Sequence, residues 1–167
     1  MIESRFIQAR VFRLPLALIL LLSIGGVSAF QLQALDKTRV NLLDYVGDGR
    51  WTLVMFWSTD CIPCEEQKPM IEDFHQTYSA SNAKVIGIAL DGMENYSGIK
   101  KLIDFHQPTY PNLVVYTDVF HRQYQELTQK QFRATPTYLL FSPTGQLSGT
   151  RVGKIERAML DSIVSPK

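Results

Sequence analysis

Cys61 and Cys64 are the residues best placed to do chemistry in this chain: they are its only cysteines, and only Ile62 and Pro63 separate them. An apolar run, Trp51 to Trp57, precedes them and reads as a buried strand, followed by a polar turn at Ser58-Thr59-Asp60. Cys61 should therefore enter the first turn of a helix, where unpaired backbone amides favour an anion and so favour the thiolate. Cys64, one turn on, is close enough to close a disulfide with Cys61. These positions assign attack to Cys61 and resolution to Cys64. Pro63 suits a first helical turn, where its missing N–H has no intrahelical partner. The same spacing also fits half of a zinc knuckle, but that needs about two further Cys or His ligands. There is no third cysteine, and His75, His106 and His121 lie far apart. The sequence favours redox chemistry with no metal and no cofactor beyond the Cys61–Cys64 pair.

The elements that must position this pair can be read from periodicity. Phe30 to Val40 alternates apolar and polar residues about Asp36-Lys37, as a hairpin does, and Asn41 can cap a short turn at Leu42 to Tyr45. From Cys61 a helix should run to about Ser79, with Pro69 kinking it. Lys84 to Leu90 reads as a parallel strand covered on both faces, followed by an amphipathic helix from Asn95 to His106. A short strand at Leu113 to Tyr116 leads to a helix capped by Asp118. Thr137 to Phe141 and Leu147 to Val152 form two strands joined at Pro143-Thr144-Gly145-Gln146, and a helix from Lys154 to Val164 closes the chain.

At 46% hydrophobic and 20% charged, with a net charge of +1, the composition is that of one globular domain. It gives no sign of a nucleic-acid-binding surface. The N-terminus departs from that composition. Arg5, Arg10 and Arg13 precede an apolar run, Leu14 to Ile24, and Val27 and Ala29 are spaced for signal-peptidase cleavage. Residues 1–29 read as a signal peptide and 30–167 as the mature, extracytoplasmic domain; an uncleaved anchor is the competing reading and would need about 18–20 apolar residues. Export gives meaning to the cysteines, because disulfides persist outside the cytosol.

A βαβ unit followed by a ββα unit, with Cys-Ile-Pro-Cys after the first core strand and Thr135-Pro136 before the closing hairpin, resembles the thioredoxin fold. This is an α/β fold: a central mixed β-sheet flanked by helices, here with an N-terminal β-hairpin and a βα insertion, Lys84 to His106, after the active-site helix. More narrowly the chain looks like the exported thiol-disulfide oxidoreductases of the TlpA, ResA and DsbE (cytochrome c maturation) group. The residues carrying that likeness are Asn41-Leu42-Leu43-Asp44-Tyr45, Phe56-Trp57-Ser58-Thr59-Asp60-Cys61-Ile62-Pro63-Cys64 and Ala134-Thr135-Pro136-Thr137-Tyr138.

The resemblance implies a cis Thr135–Pro136 bond, with the Thr135 backbone open to pair with a partner strand. By residue type alone, an ordinary trans proline at an edge strand is the alternative. It further implies that Trp57, Ile62, Pro63, Thr135 and Pro136 form the surface a partner meets, Trp57 as a wall beside the dithiol. The implied partners are protein thiols and disulfides, an apocytochrome c among them, and a membrane thiol reductant of the DsbD type that recharges the dithiol. A disulfide oxidant or isomerase, and a non-catalytic metal-binding or interaction module, are the other classes the fold admits. Two departures stand out. The acid expected in the strand six residues before Cys61 is Met55, and the one expected six residues after it is Gln67, so Cys64 lacks a familiar proton acceptor. Asp60 stands where a tryptophan is usual and should oppose the Cys61 thiolate. Glu65 and Glu66 read as solvated helix-start charges, and His75 as a surface residue.

Overall fold

The computed structural model describes residues 29–165, so residues 1–28 of the expected leader lie outside it. Among the described residues no helix is long and apolar enough to cross a membrane. The hairpin forms as read: β1 (Gln31–Ala34) pairs antiparallel with β2 (Arg39–Asn41). Asn41 then caps the 3-10 turn Leu42–Tyr45, its Oδ1 accepting from Leu43 N at 3.1 Å. β3 (Trp51–Trp57), α1 (Ile62–Tyr78), β4 (Ala83–Ala89), α2 (Tyr96–His106), β5 (Asn112–Val115), α3 (Phe120–Thr128), β6 (Thr137–Phe141), β7 (Leu147–Val152) and α4 (Arg157–Val164) follow in order.

The seven strands form one mixed sheet in the order β2-β1-β5-β4-β3-β6-β7. β3, β4 and β5 are mutually parallel, while β6 runs antiparallel to β3 and carries β7 antiparallel at its outer edge. Successive side chains of a strand face opposite sides, and β3 divides its apolar residues accordingly. Leu53, Met55 and Trp57 join a core with Ile71 and Phe74 of α1, Ile99 of α2 and Leu160 of α4. Val54 and Phe56 face the other core, with Phe30, Leu42, Phe120 and Tyr124 of α3. Both faces of β3 are thus covered, which is why Trp51 to Trp57 reads as a nearly unbroken apolar run.

Two boundaries differ from the sequence reading, each for a hydrogen-bonding reason. Asp118 caps nothing: α3 is entered through a backbone turn in which Val119 N and Phe120 N both donate to Tyr116 O, and its N-cap position, Val119, has no side-chain bond. α4 starts at Arg157 and not at Lys154, because Ile155 N donates to Gln67 Oε1 on α1 and Lys154 O accepts from Arg151 Nε. α1 continues through Pro69 to Tyr78, although Pro69 forgoes the amide bond to the preceding turn.

Candidate active site

β3 ends at Trp57, and the turn after it is held by a carboxylate clamp. Thr59 N and Thr59 Oγ1 donate to Asp91, just beyond β4, and Asn95 Nδ2 donates to both Thr59 Oγ1 and Asp91 Oδ1. That clamp delivers Cys61 to the N-cap position of α1. Cys61 and Cys64 are joined in a disulfide with an S–S distance of 2.02 Å. Cys64 N donates to Cys61 Sγ at 3.1 Å, so the sulfur occupies the place of a capping oxygen and meets the positive end of the helix. Cys61 is 7% exposed and Cys64 is wholly buried.

β6 closes the site from the other side. Its register pairs Thr137 with Phe56, bringing the preceding Thr135–Pro136 bond to the end of the sheet where Cys61 lies. That bond is cis, as the resemblance implies, and Thr135 Oγ1 lies 3.3 Å from Ser58 Oγ. Thr135 is half-buried and Pro136 buried, while Ile62, 73% exposed, and Pro63 stand out at the mouth. Trp57 stands beside the dithiol as expected, but it does not reach the surface. It is buried in the core that contains both cysteines and has almost no surface to offer a partner, so it backs the dithiol from inside.

The neighbouring polar residues are more engaged than their types suggest. Glu65 is not a freely solvated charge: its carboxylate takes Lys68 Nζ at 2.5 Å and meets His106 Nε2 of α2 at 2.5 Å. Burial pushes its pKa up, but the bonds from Lys68 and His106 outweigh that and leave it below the usual carboxylate value. Lys68, unremarked in the sequence, lies over the face of Trp57 with Nζ 4.0 Å from the ring centroid. Burial lowers its pKa, and Glu65 opposes the fall. Gln67 is buried, and its Oε1 accepts from Tyr138 Oη at 3.1 Å and Ile155 N at 2.7 Å. Met55 is buried in apolar surroundings. His75, expected at the surface, is half-buried and accepts Val85 N on Nδ1 at 3.0 Å, tying α1 to β4. Among the described residues no group of three or more His, Cys, Asp or Glu is arranged to hold a metal ion.

A helix-capping disulfide facing a cis proline, on a mixed sheet of this strand order, defines a thioredoxin-like protein. The chain belongs to the AhpC/TSA family, which residues 26–149 match. It is similar to the thiol-disulfide oxidoreductase ResA of Oceanobacillus iheyensis, with 30% identity over 79 residues covering 47% of this chain and 39% of that protein. It is also similar to sporulation thiol-disulfide oxidoreductase A of Bacillus subtilis, with 22% identity covering 67% of this chain and 65% of that one. The chain thus matches less than two thirds of the length of either relative. The fold is shared with the thioredoxin domain of a thiol-disulfide oxidoreductase from Bacteroides vulgatus, at a TM-score of 0.68 and 18% identity, covering 83% of this chain and 95% of that domain.

Proposed function

We propose that this protein is a thiol-disulfide oxidoreductase working outside the cytosol and reducing disulfides of partner proteins, apocytochrome c being one candidate. The observation that carries this reading is the position of the Cys61 sulfur, which caps α1 and accepts the Cys64 amide. In the reduced form that site favours a thiolate. The Cys61 thiolate attacks one sulfur of a partner disulfide, forming a mixed disulfide and releasing the partner's other sulfur as a thiolate. Cys64, once deprotonated, attacks Cys61 Sγ and expels the remaining partner sulfur. Two electrons pass to the partner, and the protein is left with the Cys61–Cys64 disulfide. A thiol donor must then restore the dithiol, and a membrane thiol reductant of the DsbD type fits that need. Ile62 and Pro63 at the mouth and the Thr135 backbone beside Pro136 are the surfaces on which a partner segment would lie.

The test is trapping combined with a potential. Cys64→Ser should accumulate mixed disulfides on Cys61, whereas Cys61→Ser should form none; equal trapping by both would overturn the roles. A reduction potential of about −200 mV or lower supports a reductant, and one near about −120 mV an oxidant. Mass spectrometry of the protein from its native host tests export: a mature N-terminus near Phe30 is expected, and an intact Met1 in the membrane fraction would favour an anchor.

A further inference from the structure

Lys68 is the one charged residue that is buried among the described residues, and lysine is almost never buried without a reason in its surroundings. It follows Cys64 by four positions on α1, so the two share a helix face with Cβ atoms roughly 5–6 Å apart. Helical side chains lean toward the N-terminus, which directs the Lys68 stem back toward the turn that carries Cys64 and Glu65; its bond to Glu65 shows that it takes this course. The ammonium then rests on the Trp57 ring, and Trp57, Cys61 and Cys64 belong to one buried cluster.

The pair is oriented. The Lys68 side chain is 8% exposed and that of Glu65 30%, so the cation is the inner end of the pair and the carboxylate, which also meets His106, the outer end. Asp91 also attracts Lys68, but its carboxylate already accepts from Thr59 and Asn95. Glu72 and Tyr110 line, with Lys68 and His106, a groove of about 310 Å³ on this side of α1. A role in stability alone accounts poorly for this arrangement, since an apolar chain of the same length would fill the space without desolvating a charge.

We infer that Lys68 is a positioning residue for the redox reaction: its ammonium, held between Glu65 and the face of Trp57, favours the thiolate of Cys64 in the reduced protein. It stands in for the missing carboxylates in a different manner. An acid at position 55 or 67 would accept the proton of Cys64, whereas Lys68 stabilises the anion left when that proton goes to water. The same bias stabilises the reduced form, so it makes the Cys61–Cys64 disulfide easier to reduce.

The inference rests on the oxidoreductase reading, and the experiment separates the two. Wild type, Lys68→Met, Lys68→Arg and Glu65→Gln are equilibrated with reduced and oxidised glutathione, and the pH dependence of mixed-disulfide release is followed by stopped flow. Lys68→Met should lower the equilibrium constant for reduction by about threefold to tenfold and move the release profile to higher pH. Lys68→Arg should keep wild-type values, and Glu65→Gln, which removes the outer carboxylate, should raise the constant. Opposite signs for Lys68→Met and Glu65→Gln are a result that a purely structural ion pair would not give. An unchanged constant and profile in folded Lys68→Met, or shifts of the same sign in both variants, would overturn the inference. If Lys68→Met does not fold, Glu65→Gln decides alone, and no rise there is disproof. A wild type that fails to exchange with glutathione at all would instead sink the oxidoreductase reading.

Discussion

At the scale of single residues, Gln67 shows what replaces an expected acid. One oxygen receives both the Tyr138 hydroxyl and the Ile155 amide, and burial pushes the Tyr138 pKa up, keeping that hydroxyl a donor. Gln67→Leu would strand two buried donors. At about 1–3 kcal/mol for each unsatisfied group, the loss should be about 2–6 kcal/mol, read from urea unfolding at constant m-value. Gln67→Glu keeps the acceptor, so the fold should hold, and the carboxylate's second oxygen becomes available as a proton acceptor. It should speed release of a trapped partner from Cys61 while leaving the first attack unchanged. Stopped-flow kinetics resolves the two steps, and an unaltered release step would place position 67 out of reach of Cys64. The cysteine pair was legible in the sequence because its chemistry is local: four consecutive residues on a helix start. Lys68 was not, because a lysine's type argues for solvent, and only the packing of Trp57 beneath it and Glu65 beside it reverses that expectation.

At the scale of elements, periodicity placed each strand and helix to within a few residues, since β3, β4 and β6 are buried on both faces and α2 is amphipathic. The starts of α3 and α4 differ from the sequence reading because the Phe120 amide goes to Tyr116 O and the Ile155 amide, two residues before α4, goes to Gln67, backbone or long-range partners that no capping rule sees. His75 is a similar case: its ring closes a bond between α1 and β4 that its sequence neighbours do not announce. Burial depresses the His75 pKa, the Arg50 charge lowers it further, and Glu72 opposes both. Nδ1 accepts the Val85 amide, so a proton on Nδ1 would break that bond. The folded pKa lies below the unfolded one, so between the two the unfolded chain holds more protons, and stability rises with pH across that window. Stability from His75 should therefore be fully present above about pH 6.5 and be lost as pH falls from there toward the folded value. His75→Gln should flatten this part of the profile. Urea midpoints measured from pH 7.5 to pH 5 check it: a slope in this window that is the same in variant and wild type would exclude His75 as its source.

At the scale of the whole molecule, the sheet carries a core on each face, and the N-terminal hairpin belongs to the second of them. Phe30 immediately follows the expected cleavage site, yet it is 1% exposed and packs against Phe56 and Phe120, with ring centroids 6.1 and 6.3 Å away. Its carbonyl also accepts Leu42 N at 2.9 Å, anchoring the chain just before β1 to the turn after β2. A leader removed after Ala29 would leave this core intact, whereas a cut only a residue or two later would open it. The alternation of Phe30 to Val40 made the hairpin readable, but not the packing of Phe30 beneath α3, which depends on Phe120 some ninety residues on. Phe30→Ala should cost about 3–5 kcal/mol, the range for emptying a buried aromatic site, and a chain beginning at Gln31 should lose at least as much. Chains beginning at Ala29 and at Phe30 should differ by no more than about 1 kcal/mol, because the Ala29 side chain is exposed and its carbonyl accepts a single bond, from Gln123 Nε2 at 3.3 Å. Since Phe30 lies on the face of the sheet opposite the disulfide core, glutathione equilibration of folded Phe30→Ala should give the wild-type reduction potential. A loss below about 1 kcal/mol would show that the second core does not depend on Phe30. A changed potential with unchanged stability would show that the two faces of the sheet are coupled.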